Sequence, residues 1–433
     1  GRPHPRDAPA LVSDAAPGPR VAIVAEFYPS RRDPVMGIWA HRQALAVRDA
    51  GAEVQVIVLH RVVPPRAAFA GGVRRAGVTF TEMLTEPRHQ LRDGLPVTYA
   101  PYVSPPRERG YPGWGAWAAP SLALALRKLR RSFSYELIHA HNAVPAGDAV
   151  RRASPRTPLI VSEHGADVLY TAWRGPRGAR AVARGLGAAQ LVLANSRGIA
   201  ELARARGAGR TQVVHLGAEL PPAGGAAEHA PHHASAARVR PSRPTLVTVA
   251  HLVARKRHAD VLRALAVLRP RHPTLRYSIV GDGPERHALE VLAARLGVAD
   301  RVDFYGQLEP ASALAQARGA SVFVMPSTEE AFGTAYIEAM AAGVPAIGCR
   351  GEPGPEEIAA AGGGFLLVPP GDIERLSQRI DELLSDAHRL REASERARAT
   401  VREGFTWENC GRQTLAAYLE VLARAHSGED ARS

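Results

Sequence analysis

The sequence predicts an α/β protein in which two doubly wound domains face one another across a cleft. From residue 21 onward, apolar segments bounded by turn residues alternate with segments of helical period, as in βαβ units that build a parallel sheet. The series stops once, in the text GAELPPAGGAAEHAPHHASAARVRPSRP, and then begins again. Ligands of such sheets bind beyond the carboxyl ends of the strands, so the cleft between the domains is the predicted site.

The first series supplies six strands and three helices. The predicted strands span residues 21–27, 53–59, 136–140, 158–162, 190–194 and 211–215. The predicted helices lie near residues 37–50, 120–131 and 196–205. Residues 61–120 contain many turn formers, and the pattern predicts mainly loops there.

The second series is more regular. Its predicted strands span residues 245–250, 276–281, 302–305, 321–325, 345–349 and 365–368. Its predicted helices span residues 258–268, 285–296, 311–317, 333–342 and 373–384. A final helix is predicted over residues 411–425, after Trp407, whose expected role is hydrophobic packing.

These patterns divide the chain into five segments. They are a disordered tail (1–19), an N-terminal domain (20–217), a linker (218–244), a C-terminal domain (245–405) and a terminal helix (406–426). The linker has no periodicity and is rich in Pro, Ala and Gly. Its histidines His229, His232 and His233 are better explained as solvated chain than as a metal site, because a linker lacks the fixed second shell that metal ligands need.

The composition excludes several classes of protein. With 433 residues, 45% of them hydrophobic, the chain is neither disordered throughout nor a disulfide-stapled miniprotein. No apolar run approaches the ~20 residues that cross a bilayer. Cys349 and Cys410 are too few for a disulfide framework, so both are expected to be small buried side chains in a protein of the reducing cytosol.

The net charge of +13 is unevenly distributed. Counting Lys and Arg against Asp and Glu gives +14 over residues 1–220 and −1 over residues 221–433. Lys128 and Lys256 are the only lysines, which indicates the codon bias of a GC-rich genome. That bias explains Arg over Lys but not the asymmetry, which can indicate nucleic acid, an anionic membrane surface or an acidic substrate.

The segment with the strongest chemical pattern is VFVMPSTEEAFGTAYIEAMAAGVPAIGC. A buried strand ends at Pro326-Ser327, an acidic loop follows, and a helix begins near Gly333, whose missing Cβ allows a ligand close to the backbone. The amides of Gly333, Thr334 and Ala335 are then free donors at a positive helix end, which suits a diphosphate.

Two glutamates flank this turn. Glu338 lies about a turn and a half into the helix, where its carboxylate can accept both hydroxyls of a ribose, and Glu330 precedes it by eight residues on the same side of the pocket. The alternative is a solvated acidic loop with Glu338 on an exposed helix face. The order of strand, loop, glycine-started helix and second glutamate favours the site.

This segment resembles the signature of glycosyltransferase family 4, retaining enzymes of the GT-B fold with two Rossmann-like domains. The other similar segments are LIHAHNAVPAGDA, IVSEHGADVL, LVLANSRGIAELARARG, TVAHLVARKRH, SIVGDGPER, VDFYGQL and GEPGPEEIAAAGGGFLLVPPGD. They occur in order with family-like spacing over nearly the whole ordered chain. The resemblance implies that the N-terminal domain binds the acceptor and the C-terminal domain the nucleotide sugar.

The resemblance also assigns roles within the C-terminal domain. Glu338 matches the residue that holds the ribose, Glu330 the residue near the donor sugar, and Lys256 the lysine that contacts the diphosphate. The remaining donor-binding positions that it implies are Phe332, Gly333, Thr334 and Gly281. A fixed cation and helix-end amides stabilise the charge that develops on a departing nucleoside diphosphate.

One position departs from the family pattern. The family usually has a Gly-Arg pair with Arg five residues before the lysine, whereas this chain has Ala250-His251. Neutral His cannot replace a permanent bidentate cation, so either His251 is protonated beside the phosphates or Arg255 takes the role. Arg255 is the favoured candidate.

The N-terminal domain supplies further candidates. Gly37 matches the glycine loop after the first strand, which is expected to approach the donor. His164 in SEHGADV matches the histidine that faces the reacting sugar, and Asp167 on the same loop is an acceptor-side candidate. His139 and His141 alternate along one strand and are expected on its opposite faces, so His141, at the carboxyl end, is the better acceptor-side candidate. In GEPGPEEI, Glu356 and Glu357 fit either a sugar contact or an acidic helix start equally well.

The resemblance implies a nucleotide-activated sugar, retention at the anomeric carbon and neither cofactor nor metal, since protein cations take the phosphate charge. UDP is expected by family frequency alone. The text FYPSRRDPVMGIWAHRQALAVRDAGAEVQVI most resembles bacterial enzymes that build cell-surface polysaccharides, including teichuronic-acid glycosyltransferases. A glycan acceptor, lipid-linked in the first hypothesis, is therefore expected, with the protein cytoplasmic or peripheral at the inner face of the plasma membrane.

Three classes of hypothesis address the basic half. In the first, the basic stretch SLALALRKLRRSFS meets an anionic membrane, although a helix covering the sheet explains it equally well. In the second, a soluble glycosyltransferase acts on a small metabolite or antibiotic precursor. The third, a nucleic-acid-binding protein, is disfavoured because aromatic residues do not interleave with the basic ones as a stacking platform requires.

Overall fold

A computed structural model describes residues 18–30, 33–63, 72–84, 88–221 and 243–428. Most of the predicted tail, most of the predicted linker and the histidines His229, His232 and His233 lie outside these residues. Within them the chain forms two parallel-sheet α/β domains, so the predicted fold class is confirmed.

The first sheet has eight described strands in the order β3-β4-β2-β1-β5-β6-β7-β8. They are β1 (Arg20–Ala25), β2 (Glu53–Arg61), β3 (His89–Arg92), β4 (Leu95–Tyr102), β5 (Leu137–His141), β6 (Leu159–Glu163), β7 (Leu191–Ala194) and β8 (Thr211–Val213). All pairs are parallel except β3 with β4. Five of these strands carry buried runs, as parallel strands covered on both faces should.

The helices of this half cover both faces of the sheet. They are α1 (Ile38–Asp49), α2 (Gly72–Leu84), α3 (Arg107–Gly110), α4 (Trp114–Ser132), α5 (Asp148–Ala153), α6 (Ala166–Leu169), α7 (Pro176–Gly187) and α8 (Arg197–Ala205). Apolar side chains from α4, α5, α7 and α8 form the core on one face, and α1 contributes to the core on the other.

The second sheet has six described strands in the order β11-β10-β9-β12-β13-β14. They are β9 (Thr245–Val249), β10 (Arg276–Val280), β11 (Val302–Gly306), β12 (Val322–Val324), β13 (Ala346–Cys349) and β14 (Phe365–Val368). The helices are α9 (His258–Leu268), α10 (Arg286–Arg295), α11 (Pro310–Arg318), α12 (Thr334–Ala341), α13 (Pro353–Ala361), α14 (Ile373–Leu384), α15 (Ala387–Gly404) and α16 (Trp407–Ser427). Cys349 and Cys410 are both free and buried, as expected.

The prediction of mainly loops over residues 61–120 was wrong. This stretch contains α2, the β3–β4 hairpin, α3 and the start of α4. The hairpin turns at Asp93-Gly94, both with positive φ, and Asp-Gly is a strong signal for a two-residue hairpin. The short, half-exposed strand β3 hid that signal because it has too few apolar residues to show a period.

Helix α16 leaves the second domain and packs on the first. It lies against α1, where the Gln43 amide donates to the Thr414 hydroxyl at 3.1 Å, and the Tyr418 hydroxyl is 2.7 Å from His139 Nδ1. Gly411 permits the contact, because a Cβ there would lie 2.1 Å from the carbonyl oxygen of Ala46. No helix in the described part of the chain is long and apolar enough to span a membrane.

We expect Gly411→Ala to lower the melting temperature by several degrees. Alanine normally favours a helix interior over glycine, but here the added methyl group collides with the backbone of α1. Gly404→Ala is the matched control, since no atom lies within 4 Å of its added Cβ. Thermal unfolding should show a lower melting temperature for Gly411→Ala only. Equal melting temperatures for the two variants would contradict the close packing of α1 and α16.

Candidate active site

The candidate donor site lies where β12 ends and α12 begins. Gly333 immediately precedes α12 with φ 86°, a left-handed conformation that glycine adopts without strain. The first amides of α12 have no partner within the helix, and Gly333, Thr334 and Ala335 are half-buried. The structure thus places an anion-binding helix start at the carboxyl edge of the second sheet.

Lys256 and Glu330 meet beside this helix start. The Lys256 ammonium lies 2.5 Å from Glu330 Oε2, and the two side chains are only 11% and 10% exposed. Burial alone would raise the pKa of Glu330, but the charge and hydrogen bond of Lys256, with further help from Arg255 and Ser327, hold that pKa below its usual value. Glu330 is therefore an anion at neutral pH and holds Lys256 in place.

Buried hydroxyls stand behind this ion pair. The Ser327 hydroxyl donates to Glu330 Oε2 at 2.9 Å and lies 3.1 Å from the Tyr336 hydroxyl, which donates to the carbonyl of Met325. The Glu330 amide in turn donates to Glu352 Oε2 at 2.8 Å. Sequence reasoning did not single out Ser327, Tyr336 or Glu352, because each acts through Glu330.

The structure separates the two candidates for the phosphate-binding cation. Arg255 is half-buried, its charge acts on Glu330, and its guanidinium carbon lies 5.9 Å from the ring centre of Tyr170. His251 is exposed at the carboxyl end of β9. Arg255 thus shares the cleft with Lys256 and Glu330, an arrangement that favours it over His251.

Glu338 lies half-buried on α12, about a turn and a half beyond Gly333. Burial raises its pKa, and the nearby charges of Arg42 and Arg318 oppose that rise. Arg42, on α1, also pairs with Glu219, so a cation of the N-terminal domain lies close to this carboxylate. Glu338, the residue predicted to bind the ribose, therefore lies where both domains contribute charged side chains.

Other predicted donor-side residues shape the chain itself. Phe332 is fully buried, and its ring centre lies 5.8 Å from that of Phe405 and 6.0 Å from that of His215. It therefore anchors the turn in the hydrophobic core. A Cβ at Gly37 would lie 2.2 Å from the backbone of Phe27, and one at Gly281 would lie 2.0 Å from the carbonyl of Ala250. Backbone packing explains both glycines, and their contact with the donor stays a prediction.

Two histidines meet on the N-terminal side of the cleft. His141 Nδ1 lies 3.0 Å from His164 Nε2 and the rings stack, with Trp39 against the edge of His164. Burial lowers the pKa of His164 to about 4 and that of His141 well below its usual value. Both rings are therefore neutral at pH 7, and His164 can offer a hydrogen bond but not a positive charge.

The assignment of His139 and His141 to opposite faces of their strand was wrong. Residues two apart in a strand point to the same face, and the two ring centres lie 4.7 Å apart. His139 is nevertheless removed from chemistry by its partners, Tyr418 Oη at 2.7 Å and Ser162 Oγ at 2.8 Å. His141, at the end of the strand, still contacts His164.

Asp167 is buried and has a structural partner. Its Oδ2 accepts the Val144 amide at 2.9 Å and so fixes the loop that follows β5. Burial raises the pKa of Asp167 to about 6, although hydrogen bonds to its carboxylate, including the one from the Val144 amide, act to lower it. This geometry explains Asp167 without an acceptor, and its acceptor-side role remains a prediction.

Direct hydrogen bonds join the two domains at the acidic loop. The Tyr170 hydroxyl donates to the carbonyl of Glu329 at 3.1 Å, and the Ser196 hydroxyl donates to that of Ala331 at 3.0 Å. Glu357 accepts the Arg197 amide at the start of α8 and lies 2.8 Å from His215 Nε2. Glu357 therefore holds the domains together, which favours the structural explanation of GEPGPEEI.

The sequence analysis missed Glu26, which follows β1 at the carboxyl edge of the first sheet. Its Oε2 accepts the Tyr111 hydroxyl at 3.0 Å, and Arg107 lies 3.6 Å from Oε1. Burial raises the pKa of Glu26 to about 7, which outweighs the opposing effects of Arg107 and Tyr111. A lone glutamate after a strand carries no spacing signal, so only the tertiary neighbours reveal this group.

This shift predicts a pH-dependent stability difference. Because the folded pKa of Glu26 exceeds the ordinary value of 4.5, the folded protein binds more protons, and the contribution of this group to stability falls as pH rises from about 4.5 to about 7. Glu26→Gln removes that loss. Its melting temperature relative to wild type should therefore rise between pH 5 and pH 8, while the exposed control Glu53→Gln should track wild type. Parallel curves for Glu26→Gln would contradict a raised pKa.

The part of the chain that the structure describes contains no group of three or more His, Cys, Asp and Glu side chains able to hold a metal ion. Lys256, Arg255 and Glu330 lie together in the cleft, next to the start of α12. This arrangement can bind a diphosphate and stabilise added negative charge on it.

Solved structures with the same architecture define the class. Sucrose-phosphate synthase from Thermosynechococcus elongatus superposes with a TM-score of 0.70 at 21% identity, covering 94% of this chain and 99% of that one. Anabaena HepE, in complex with UDP and glucose, superposes with a TM-score of 0.64 at 19% identity over 93% and 99% of the two chains. The fold is therefore the GT-B fold of glycosyltransferases.

Family models and curated relatives then give the family. The model described as Glycosyltransferase Family 4 matches residues 36–220, and the model described as Glycosyl transferases group 1 matches residues 233–400. The D-inositol 3-phosphate glycosyltransferase of Streptomyces griseus is 32% identical over 68% of this chain and 70% of that protein. The chain belongs to glycosyltransferase family 4.

Two further relatives act in cell-surface or glycolipid synthesis by name. The "putative teichuronic acid biosynthesis glycosyltransferase TuaC" of Bacillus subtilis is 26% identical over 83% of this chain and 88% of that protein. The GDP-mannose-dependent α-(1-6)-phosphatidylinositol monomannoside mannosyltransferase of Mycolicibacterium smegmatis is 29% identical over 67% and 78% of the two proteins.

Proposed function

We propose that this glycosyltransferase moves a sugar, with retention at the anomeric carbon, from a nucleoside diphosphate sugar to a hydroxyl of a glycan acceptor. The observation that carries the proposal is the glycine-started helix α12 with Lys256, Arg255 and Glu338 around it. In this arrangement the helix start binds the diphosphate and Glu338 the ribose. We propose UDP as the nucleotide of the donor, although the name of one relative includes GDP-mannose.

The proposed chemistry is electrostatic. Cleavage of the donor adds negative charge to the leaving phosphate, and Lys256 with Arg255 stabilises that charge without a metal ion. Glu330 positions Lys256 through the ion pair at 2.5 Å. The leaving phosphate helps to deprotonate an acceptor hydroxyl that attacks from the same face, and the neutral His164 donates or accepts a hydrogen bond at the reacting sugar.

For the acceptor we propose a lipid-linked glycan of cell-surface polysaccharide synthesis. Supporting this are the names of the Bacillus and Mycolicibacterium relatives and the exposed basic face of α4, formed by Arg127, Lys128, Arg130 and Arg131. Leu122 and Leu126 on the other face are buried in the core, so α4 is a covering helix whose cations face outward. Such a face suits peripheral contact with an anionic inner membrane surface from the cytoplasm.

A second candidate acceptor is a small soluble metabolite. It is favoured by the relative named D-inositol 3-phosphate glycosyltransferase, since that name contains a small phosphorylated polyol. The two candidates share the donor site and differ in whether the acceptor carries a lipid.

One set of measurements tests the proposal in order. A thermal-shift panel of UDP-, GDP- and ADP-sugars should show stabilisation by the sugars of one nucleotide. No stabilisation by any of them would overturn the proposed donor.

Product analysis with lipid-linked and soluble acceptors then separates the two candidate acceptors, and NMR of the new anomeric centre tests retention. Turnover that survives EDTA supports metal independence, and cosedimentation with anionic vesicles tests the membrane contact.

A further inference from the structure

A groove on the N-terminal domain is lined with arginines that the donor chemistry does not use. It has a volume of about 520 Å³ and lies between α7 and the segment that joins α3 to α4. Arg174, Arg177, Arg180 and Arg184 line one wall, and Trp117 and the carboxylate Glu108 lie on the other. We call it the arginine groove.

The spacing of the arginines makes a row. Arg177, Arg180 and Arg184 occupy positions i, i+3 and i+7 of α7, which fall on one helix face, and they span about 10 Å at 1.5 Å per residue. The opposite face of α7 is buried in the core through Ala181, Val182 and neighbouring residues. The cations are therefore carried by a fixed helix, with their side chains exposed.

The groove is lined by four arginines and one carboxylate, Glu108, so its lining carries a net positive charge. Among the described residues, no carboxylate lies within ion-pair distance of Arg174, Arg177 or Arg180. Arg184 lies 3.9 Å from Asp148, but Asp148 already pairs at 2.9 Å with both Arg151 and Arg152. A row of like charges that rise about 4.5 and 6 Å from one to the next along the helix axis is unfavourable by itself, so an anionic ligand would relieve real repulsion.

The groove also continues toward the candidate active site. Arg174 lines a second cavity, of about 530 Å³, together with Tyr170 and Glu329. Glu329 belongs to the acidic loop and is adjacent to Glu330, and Tyr170 donates a hydrogen bond to its carbonyl. The row of arginines therefore ends beside the donor loop.

We infer that the arginine groove binds anionic groups, carboxylate or phosphate, that recur along the acceptor glycan. A row of about 10 Å exceeds the needs of a single carboxylate or phosphate, and guanidinium groups suit both anions through paired hydrogen bonds. The groove then holds the body of the acceptor while its terminal sugar enters the cleft. This inference rests on the proposed function, since it names the acceptor class of the same site.

The test compares two double variants of the full chain. Arg177→Ala/Arg180→Ala removes the centre of the row, and Arg88→Ala/Arg156→Ala removes the same charge from exposed positions outside the groove. The probes are tetragalacturonate for repeated carboxylates, inorganic tripolyphosphate for repeated phosphates, and maltotetraose as the neutral control. Calorimetry at one fixed salt concentration gives the dissociation constants, and the donor panel is repeated on each protein.

Wild type should bind at least one anionic probe, with a dissociation constant about tenfold or more below that of the groove variant. The dissociation constant of the control variant should lie within about threefold of the wild-type value. Which probe binds distinguishes carboxylate from phosphate. Equal losses of probe affinity in the groove variant and the control variant would overturn the inference. It would also be overturned if wild type bound neither anionic probe, or bound maltotetraose as tightly as the anions. Unchanged donor stabilisation alongside such a result leaves the proposed function standing. Anion binding by the groove without any donor response overturns the proposed function, and with it the acceptor role of the groove.

Discussion

Lys256→Ala is expected to lower kcat by about two to three orders of magnitude and to weaken donor binding less. The ammonium lies next to the start of α12, where the diphosphate is expected, and the leaving phosphate gains charge only as the donor bond breaks. Removal of one fixed group that stabilises developing charge typically costs about 10²–10³ in kcat. Steady-state kinetics and donor calorimetry separate the two effects.

The control for this variant is Arg295→Ala, which removes an exposed cation from α10 in the same domain. Because Lys256→Ala also leaves Glu330 as a buried anion without its ammonium partner, thermal unfolding should be measured in parallel and Lys256→Met included to keep the apolar stem. Turnover close to wild type in a folded Lys256→Ala protein would contradict the assignment and direct attention to Arg255.

Glu338→Ala should weaken nucleotide-sugar affinity by about ten- to a hundredfold. A carboxylate that accepts two ribose hydroxyls makes charge-assisted hydrogen bonds worth about 1.5–3 kcal/mol each before the cost of desolvation, and half-buried Glu338 already bears part of that cost. Calorimetric titration of the stabilising donor measures the loss. Glu338→Gln should fall between alanine and wild type, since an amide oxygen accepts a weaker bond.

Glu374→Ala is the matched control for Glu338→Ala, because Glu374 is an exposed glutamate in the first turn of α14. It should bind the donor like wild type. If Glu338→Ala also retains its affinity, Glu338 does not hold the ribose, and its raised pKa would reflect only burial between the domains.

Local periodicity was enough for most of the regular fold. Strands β9 to β14 and the helices between them, apart from α13, lie within a few residues of their predicted positions, since each has a strong apolar period and clear turn residues. Periodicity failed where amphipathic helices are rich in Arg, as in α7 and α15, and at the short hairpin β3–β4. In those elements packing against the sheet, not local composition, supplies the stability.

The candidate site was predictable in part. Lys256, Glu330 and the turn at Gly333 lie together, as a shared carboxyl edge requires. Tyr336 contacts Ser327 behind Glu330, and Glu352 accepts the Glu330 amide. Neither these two residues nor Glu26 could be found, because their contacts follow no spacing that the sequence displays. The error at His139 and His141 had a different origin, since the two-residue period of a strand already places both on one face.

The sequence by itself determined the two-domain α/β class, the family resemblance and the order of the candidate residues. These depend on local period and spacing, which survive without knowledge of contacts. Only the tertiary structure decided that the charge of Arg255 acts on Glu330 beside Lys256, that His164 is neutral, and that the arginines of α7, with Arg174 just before it, form a row that reaches Glu329. Each of these depends on burial and on charges brought together from distant parts of the chain, which no local pattern encodes.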